Sequence, residues 1–402
     1  MTTAQATVRV GVGTTRTAAS TRWFARVPQF VNPASLILVC AVGLTLLGVT
    51  ILFSASWAFR SDPYFFVRRQ VTFLGAALLV GFITSRVNLE RMRRFAWWFA
   101  GILVIGLIVT LIPGVGVTVN GAQRWLEFSV ARLQMSEFAK LGLVFALAHY
   151  LSAHQKDIRT FQRGFVIPLL LIGLFCGLII VEPDFGTAML AGLVGFILLF
   201  FAGVRLWYLL PTMLGGISLL SVAIMHSPER WGRVMAFVDL ENSRSGAGYQ
   251  LWQAILGFGT GGAEGVGLGA GRQQMFFLPE AHTDFIFAIV GEELGLTFTI
   301  AVVVAFVVIF VAGIVHLRRA PNLFQYLLVA GALLLLTLQS LVNLCVVTGL
   351  VPTKGMSLPF ISYGGSNLLL MAMIVGLMIN THIAWSRPAI KDRGRGLKEL
   401  DE

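Results

Sequence analysis

Ten long uncharged, apolar stretches govern what this chain can fold into: residues 27–59, 70–85, 95–123, 141–155, 164–181, 185–204, 206–228, 294–317, 320–353 and 355–386. In hydrocarbon each backbone N–H and C=O must be satisfied internally, so such stretches cross as helices. About 20 apolar residues span a bilayer, with about 17 to 25 observed. Eight stretches reach that length. The second and fourth reach it by extending outward past Arg68 and Arg69, and past Lys140. The pattern predicts an all-α polytopic membrane protein with about ten transmembrane helices.

Composition agrees, with 56% hydrophobic and 12% charged residues, which excludes an ordinary soluble domain. The net charge of +11 does not call for nucleic acid, because the basic residues follow the topology. With the N-terminus inside, 19 of the 30 Lys and Arg fall in inward segments and 10 in outward ones. That excess is the one membrane insertion favours, and it places both termini in the cytoplasm. Residues 1–33 read as a cytoplasmic tail, since the apolar run after them is too long for a secretory signal. Residues 34–386 read as one transmembrane domain and 387–402 as a second cytoplasmic tail. Cys40, Cys176 and Cys345 lie in apolar runs, so they suit packing and form neither a disulfide framework nor a zinc cluster.

Two outward loops are large, at 113–136 and 228–284. The second carries Gly257, Gly259, Gly261, Gly262, Gly265, Gly267, Gly269 and Gly271. These suit close backbone packing or a flexible lip. No Lys-Ser/Thr follows them and no strand precedes them, so they match neither a Walker loop nor a dinucleotide fingerprint.

Polar residues gather in four patches at or just under the outward side. The first is residues 121–140, with Arg124, Glu137 and Lys140. The second is Glu-Pro-Asp-Phe-Gly-Thr at 182–187. The third, 279–295, holds Glu280, His282, Asp284, Glu292 and Glu293 at the mouth of an apolar run. The fourth is 352–366, from Pro-Thr-Lys-Gly to Ser-Tyr-Gly-Gly-Ser. Ionisable groups at membrane depth are costly, which makes such patches functional candidates.

In this order and at these positions, the four patches resemble the SEDS family of bacterial cell-wall polymerases (shape, elongation, division and sporulation). The resemblance covers the chain from residue 34. Pro-Glu-Ala-His-Thr-Asp-Phe at 279–285 and Pro-Thr-Lys-Gly at 352–355 resemble the division branch more than the elongation branch. Met135 stands where the family commonly has Pro, and Glu182 where Gln is usual; neither position is one assigned to chemistry. The resemblance implies a peptidoglycan glycosyltransferase that polymerises lipid II, a disaccharide-pentapeptide on undecaprenyl pyrophosphate, for septal wall synthesis. It implies the bacterial cytoplasmic membrane at the division septum, an outward active site, and a class B penicillin-binding transpeptidase among other division membrane proteins as partners. The family's essential aspartate falls on Asp284.

Chemistry supports that assignment. The acceptor sugar's 4-hydroxyl loses a proton as it attacks the anomeric carbon, and a carboxylate in hydrogen-bond reach serves as general base. Pyrophosphate leaves without a proton once its developing charge is stabilised, so one base and a cationic clamp suffice. Arg124 and Lys140 are the first clamp candidates, with Arg230, Arg233 and Arg272 behind them. Glu137 and His282 complete the candidate substrate-binding set. A divalent ion, Mg or Mn, is a further candidate, held by Asp284 and the acids of its tract. Burial beside Phe285 and Phe287 would raise the Asp284 pKa and nearby cations would lower it; the sequence leaves that balance open.

Structural readings compete at each position. Asp284 is also suited to cap the eighth span, and Asp184 after Pro183 reads first as a cap. Glu137 and Lys140 are spaced as an intrahelical pair. Glu292 and Glu293 read as partners of a buried cation, with a place in the Asp284 cavity as the alternative for Glu292. Trp125, Trp231 and Trp252 read as an interfacial belt. At the level of the whole protein, the alternatives are a flippase for the lipid-linked precursor, a scaffold for the transpeptidase, and an elongation-type polymerase.

Overall fold

The computed structural model describes residues 32–56, 64–119, 122–128 and 131–386. The chain divides into two units, Met1–Asn32 and Pro33–Glu402. The tails expected at 1–33 and 387–402 therefore lie almost wholly outside the described residues.

The second unit is a helical bundle: α1 (Pro33–Ser56), α2 (Phe65–Arg86), a short α3 (Leu89–Arg93), α4 (Ala96–Thr110), α5 (Met135–Ala153), α6 (Ile167–Val181), α7 (Phe185–Ala202), α8 (Leu206–Met225), α9 (Pro228–Val238), α10 (Tyr249–Gly261), α11 (Ile286–Leu317), α12 (Leu323–Val347) and α13 (Gly365–Ser386). A π-turn, Phe161–Val166, leads into α6. Among the described residues, eight helical segments are long and apolar enough to cross a membrane by length and composition, α6 counting together with its π-turn, so the chain is a multi-pass membrane protein. The other two expected spans fall on α4, which is shorter, and on α5, which buries Glu137 and Lys140 near its start.

Sequence explains the helix ends. Asn88 accepts from Arg91 N at the start of α3, and Asn322 accepts from Gln325 N at the start of α12, each satisfying an orphan donor. Gly203 closes α7 in the left-handed region, φ 91°, where glycine is unstrained. Asn380 on α13 donates to Thr84 O and Val87 O and so seals the end of α2. Helices α5 and α12 are buried on nearly every side, as helices apolar all round must be. Helix α8 is the opposite case, with only Leu209 buried.

The first expected loop is not irregular. It folds into a three-stranded antiparallel sheet, β1 (Gly116–Val119), β2 (Ala122–Phe128) and β3 (Ala131–Gln134), in the order β1-β2-β3. Trp125 pairs with Gln134 across β2 and β3. The all-α expectation thus holds for the bundle and gains a small sheet. Paired strands satisfy the backbone of this loop.

The second loop contains α9, α10 and the glycine-rich segment, which runs into the broken start of α11. At Gly295 (φ 72°, ψ −169°) the helix breaks, freeing carbonyls that need donors. The glycine segment supplies them: Val266 N donates to Glu292 O, Gly267 N to Glu293 O, and Leu296 N closes back on Gly262 O. A Cβ on Gly265 or Gly295 would collide with the facing backbone. The two glycines make that contact possible.

A polar cavity at one end of the bundle

A cavity of about 840 Å³ opens at one end of the bundle. It gathers the starts of α2, α5 and α13, the end of α12, the sheet, and the turn before α11. Of the candidate site residues, Arg124, Glu137, Lys140, His282 and Asp284 line it. Arg233 and Arg272 do not. Arg233 pairs with Glu229 at 2.7 Å on α9. The Arg272 side chain is exposed, and its contribution is a backbone N–H, which donates to Glu292 Oε1 at 2.9 Å.

Glu292 and Glu293 correct another expectation. Among the described residues no buried cation meets their carboxylates. Glu292 accepts from the backbone of Arg272 and Gln273, at 2.9 and 3.0 Å. Glu293 accepts from Ser54 Oγ at 2.6 Å, Gly269 N at 2.9 Å and Gln274 Nε2 at 2.8 Å. Anionic acceptors make the stronger hydrogen bonds, so the pair staples the glycine segment, α1 and α11 together. The sequence offered acids as the signal; their partners are amides that no side-chain pattern advertises.

Asp284 is half-buried at the cavity wall. Its segment is held by its backbone, not by a cap. The cap position of α11 is Phe285, and no side chain caps it. Asn343 donates to Asp284 O at 2.8 Å, Ser362 Oγ donates to Thr283 O at 2.5 Å, and Tyr363 N donates to His282 O at 3.0 Å. The carboxylate lies against Gly355, where a Cβ would sit 2.6 Å from Oδ2. Burial pushes the Asp284 pKa up to about 7; Glu280 and Asp184 add to this, and Arg124 and Lys354 oppose it. The balance left open by the sequence therefore falls on the side of desolvation.

The His282 ring packs 4.4 Å from the Phe66 ring and 5.8 Å from the Tyr363 ring. Burial lowers its pKa against the pull of Glu280, so the ring is neutral at neutral pH. Lys140 is 1% exposed and held by two acceptors. Its Nζ donates to Glu137 Oε1 at 3.0 Å and to Gln339 Oε1 at 2.8 Å. Gln339 also donates to Ser357 O and Asn367 Oδ1. The intrahelical-pair reading thus describes Lys140 and Glu137, and the pair forms part of the cavity wall.

Two residues outside the candidate set organise the cations. Asp184 caps α7 through Thr187 N at 3.2 Å, as its position suggested. It also accepts from Thr187 Oγ1, Gln134 Nε2 and Ser136 Oγ at 2.9, 2.8 and 3.3 Å, and lies 3.4 Å from Arg124 Nη1. The cap signal hid this second task. Lys354 lies 5.8 Å from the Phe185 ring, and Arg230 stacks on that ring at 4.3 Å. Burial lowers the Lys354 pKa; Asp184 opposes the shift, and Arg233, Arg124 and Arg230 reinforce it. Arg233 therefore acts by its field on Lys354, from outside the cavity lining. Trp125 also lines the cavity, which moves it from the expected belt to the site, while Trp231 is exposed on α9 and Trp252 lies under Arg244.

Among the described residues no three His, Cys, Asp or Glu side chains converge to hold a metal ion. The described residues do not amount to a complete protein ligand set.

This geometry accommodates a large anionic ligand beside one raised carboxylate. A family profile described as "cell cycle protein", covering FtsW, RodA and SpoVE, matches residues 34–386. A probable peptidoglycan glycosyltransferase FtsW from Coxiella burnetii (strain RSA 493 / Nine Mile phase I) is 38% identical over 353 residues, 85% of this chain and 94% of that protein. One from Hahella chejuensis (strain KCTC 2396) is 40% identical over 351 residues, 84% of this chain and 87% of that protein. Among solved structures, one described as "Structural coordination of polymerization and crosslinking by a peptidoglycan synthase complex" matches with a TM-score of 0.71 and 26% identity, covering 88% of this chain and 98% of the other. The rod shape determining protein RodA of Thermus thermophilus matches with a TM-score of 0.65 and 25% identity, covering 88% and 97%. Since the profile spans the bundle from α1 to α13 and the relatives match along most of their own length, the chain belongs to the SEDS family, the cell cycle proteins that include FtsW and RodA.

Proposed function

We propose that this protein is a peptidoglycan glycosyltransferase that polymerises lipid II into glycan strands for septal wall synthesis. The observation that carries the reading is Asp284, a half-buried carboxyl raised to about 7 in a cavity that also presents Arg124. A base with a pKa near the working pH combines enough ionised form with enough proton affinity. Asp284 takes the proton of the acceptor 4-hydroxyl as that oxygen attacks the donor's anomeric carbon. The C–O bond to undecaprenyl pyrophosphate breaks, and configuration inverts. Arg124, supported by the field of Lys354, takes up the charge that develops on the departing pyrophosphate. Glu137 and Lys140 keep the wall in shape behind them, and His282 offers a neutral polar edge.

The end of the bundle that holds the cavity is the one that basic-residue asymmetry assigns to the outside. The active site then faces away from the cytoplasm, where finished precursor and a class B penicillin-binding transpeptidase meet. The likeness to a peptidoglycan synthase complex supports such a partner, with further division membrane proteins around it.

The test is polymerisation of lipid II by the purified full-length chain, with and without the transpeptidase, comparing wild type with Asp284→Ala. The wild type is expected to make glycan and the variant none, with equal thermal melting. Glycan from the variant removes Asp284 as base. Movement of labelled lipid II across vesicles with no glycan from the wild type replaces the polymerase reading with a transport one.

A further inference from the structure

We infer that Glu182 is a positioning residue whose proton sets how firmly Asp184 holds Arg124 at the cavity wall; the inference rests on the polymerase reading above.

Glu182 follows the last turn of α6 and is 0% exposed. One carboxyl oxygen, Oε1, meets Thr110 Oγ1 at the end of α4, while Oε2 is enclosed without a partner. The Thr110 hydroxyl has a single proton to give, and Leu107 O lies 2.6 Å from the same oxygen. When that proton goes to Leu107 O, the contact with Glu182 is a hydrogen bond only if the carboxylic acid donates. A proton on Glu182 therefore satisfies both contacts at once. It also removes the heavy penalty of an enclosed carboxylate with one oxygen unpaired.

Two charged groups act on this acid: Asp184, two residues on, and Arg124 from β2. The α4 side contributes only the neutral Thr110. Asp184 in turn faces Arg124 at 3.4 Å and acts on Lys354. Burial raises the Glu182 pKa to about 7, Asp184 adds to the rise, and Thr110 and Arg124 oppose it. The proton thus leaves within the working range.

Protonated, Glu182 leaves Asp184, at 3.4 Å, as the anion in contact with Arg124, with Asp284 acting on the same guanidinium across the cavity. Ionised, it sets a further negative charge beside Asp184. Arg124 is then more fully neutralised by the wall and less available to an anionic ligand. The expected consequence is weaker binding of lipid II as pH rises through the Glu182 transition, separate from the ionisation of Asp284, which governs turnover.

The test uses the purified full-length chain and two readouts. Infrared difference spectra between about pH 6 and about pH 8 should show carboxylic-acid bands that vanish as pH rises. Glu182→Gln should remove one of them, and Asp284→Asn, expected to make no glycan, should keep that same one. In polymerisation assays, wild-type KM for lipid II should rise about fivefold across that range. Glu182→Gln should hold KM flat with kcat little changed. Arg124→Gln, which leaves Glu182 in place, should also flatten the KM profile and keep the infrared band, so the role stays testable if Glu182→Gln misfolds. An unchanged set of bands in Glu182→Gln overturns the role, as does a KM profile in either variant that rises like that of the wild type. A wild type that makes no glycan at any pH overturns the polymerase reading and this role with it, whereas an active wild type with a KM indifferent to pH overturns this role alone.

Discussion

Arg124 Nη1 lies 3.4 Å from Asp184 Oδ2, joining the sheet to the first turn of α7 at the wall of the cavity. Asp184 keeps Gln134, Ser136 and Thr187 as donors without Arg124. Arg124→Gln should therefore fold with little loss of stability yet lower kcat/KM for lipid II polymerisation about 100-fold, the scale of losing one group that stabilises developing charge. Arg124→Lys should recover only part, because an ammonium lacks the guanidinium fork. Steady-state kinetics beside thermal melting would check both.

The pH dependence of turnover follows from Asp284. A general base works ionised, and its pKa is raised to about 7, so kcat should fall about tenfold per pH unit below that point. The direction is that of any carboxylate base, but the limb lies about three pH units above that of an ordinary surface aspartate, which is still ionised there. Arg124 holds the Asp284 pKa down, so Arg124→Gln should move this limb to higher pH. A limb that stays in place, or lies near pH 4, would remove Asp284 from the role.

The burial of Lys140 separates structure from binding. Lys140→Met leaves Glu137 as a buried carboxylate without its cation, which costs about 3 to 5 kcal/mol. Glu137→Leu with Lys140→Met removes both charges, and the double variant should melt near wild type. If activity returns with stability, the pair serves the wall; if stability returns and activity does not, Lys140 touches substrate.

Arg272 and Glu292 form a matched contrast. The Arg272 side chain is exposed and does not line the cavity, while its backbone N–H holds Glu292, so Arg272→Ala should retain near wild-type activity. Glu292→Ala strips the acceptor from one buried and one partly buried amide and should cost about 2 to 4 kcal/mol. Paired melting curves and polymerisation rates would decide.

The bundle was readable because a bilayer forces charge out of long segments, and the uncharged stretches overlie the long helices. Asp284, Arg124, Lys140 and His282 were readable because charge at the edge of hydrocarbon stands out. What escaped depends on the backbone. Strand pairing in β1 to β3 obeys local hydrogen bonding rather than hydropathy. Glu292 and Glu293 bind amide N–H groups that carry no residue label. Asp184 looked like a cap because it is one, and its ion pair with Arg124 depends on how the sheet folds over α7. Lys354 was visible only as part of a short motif, with no pattern to say which way it faced.

Gly355 gives the sharpest division between folding and catalysis. Its backbone is not in the left-handed region, so an added methyl strains no torsion there; the cost is a Cβ only 2.6 Å from Asp284 Oδ2. Something must shift, and the Asp284 carboxylate, at the end of its side chain, yields more readily than a backbone anchored by Asn343 and Ser362. A displacement on the order of 1 Å at a reacting group costs about 100-fold in rate. Gly355→Ala should therefore melt close to wild type and lose about that much in kcat. Gly295→Ala is the reverse case: its φ of 72° and ψ of −169° are essentially glycine-only, worth about 1 to 3 kcal/mol of strain, and its Cβ would strike Ala263 and Gly265. It should melt early before its kinetics report anything. If Gly355→Ala instead kept full turnover, the Asp284 carboxylate would have room to spare, and its fixed place against Gly355 would not matter to the reaction.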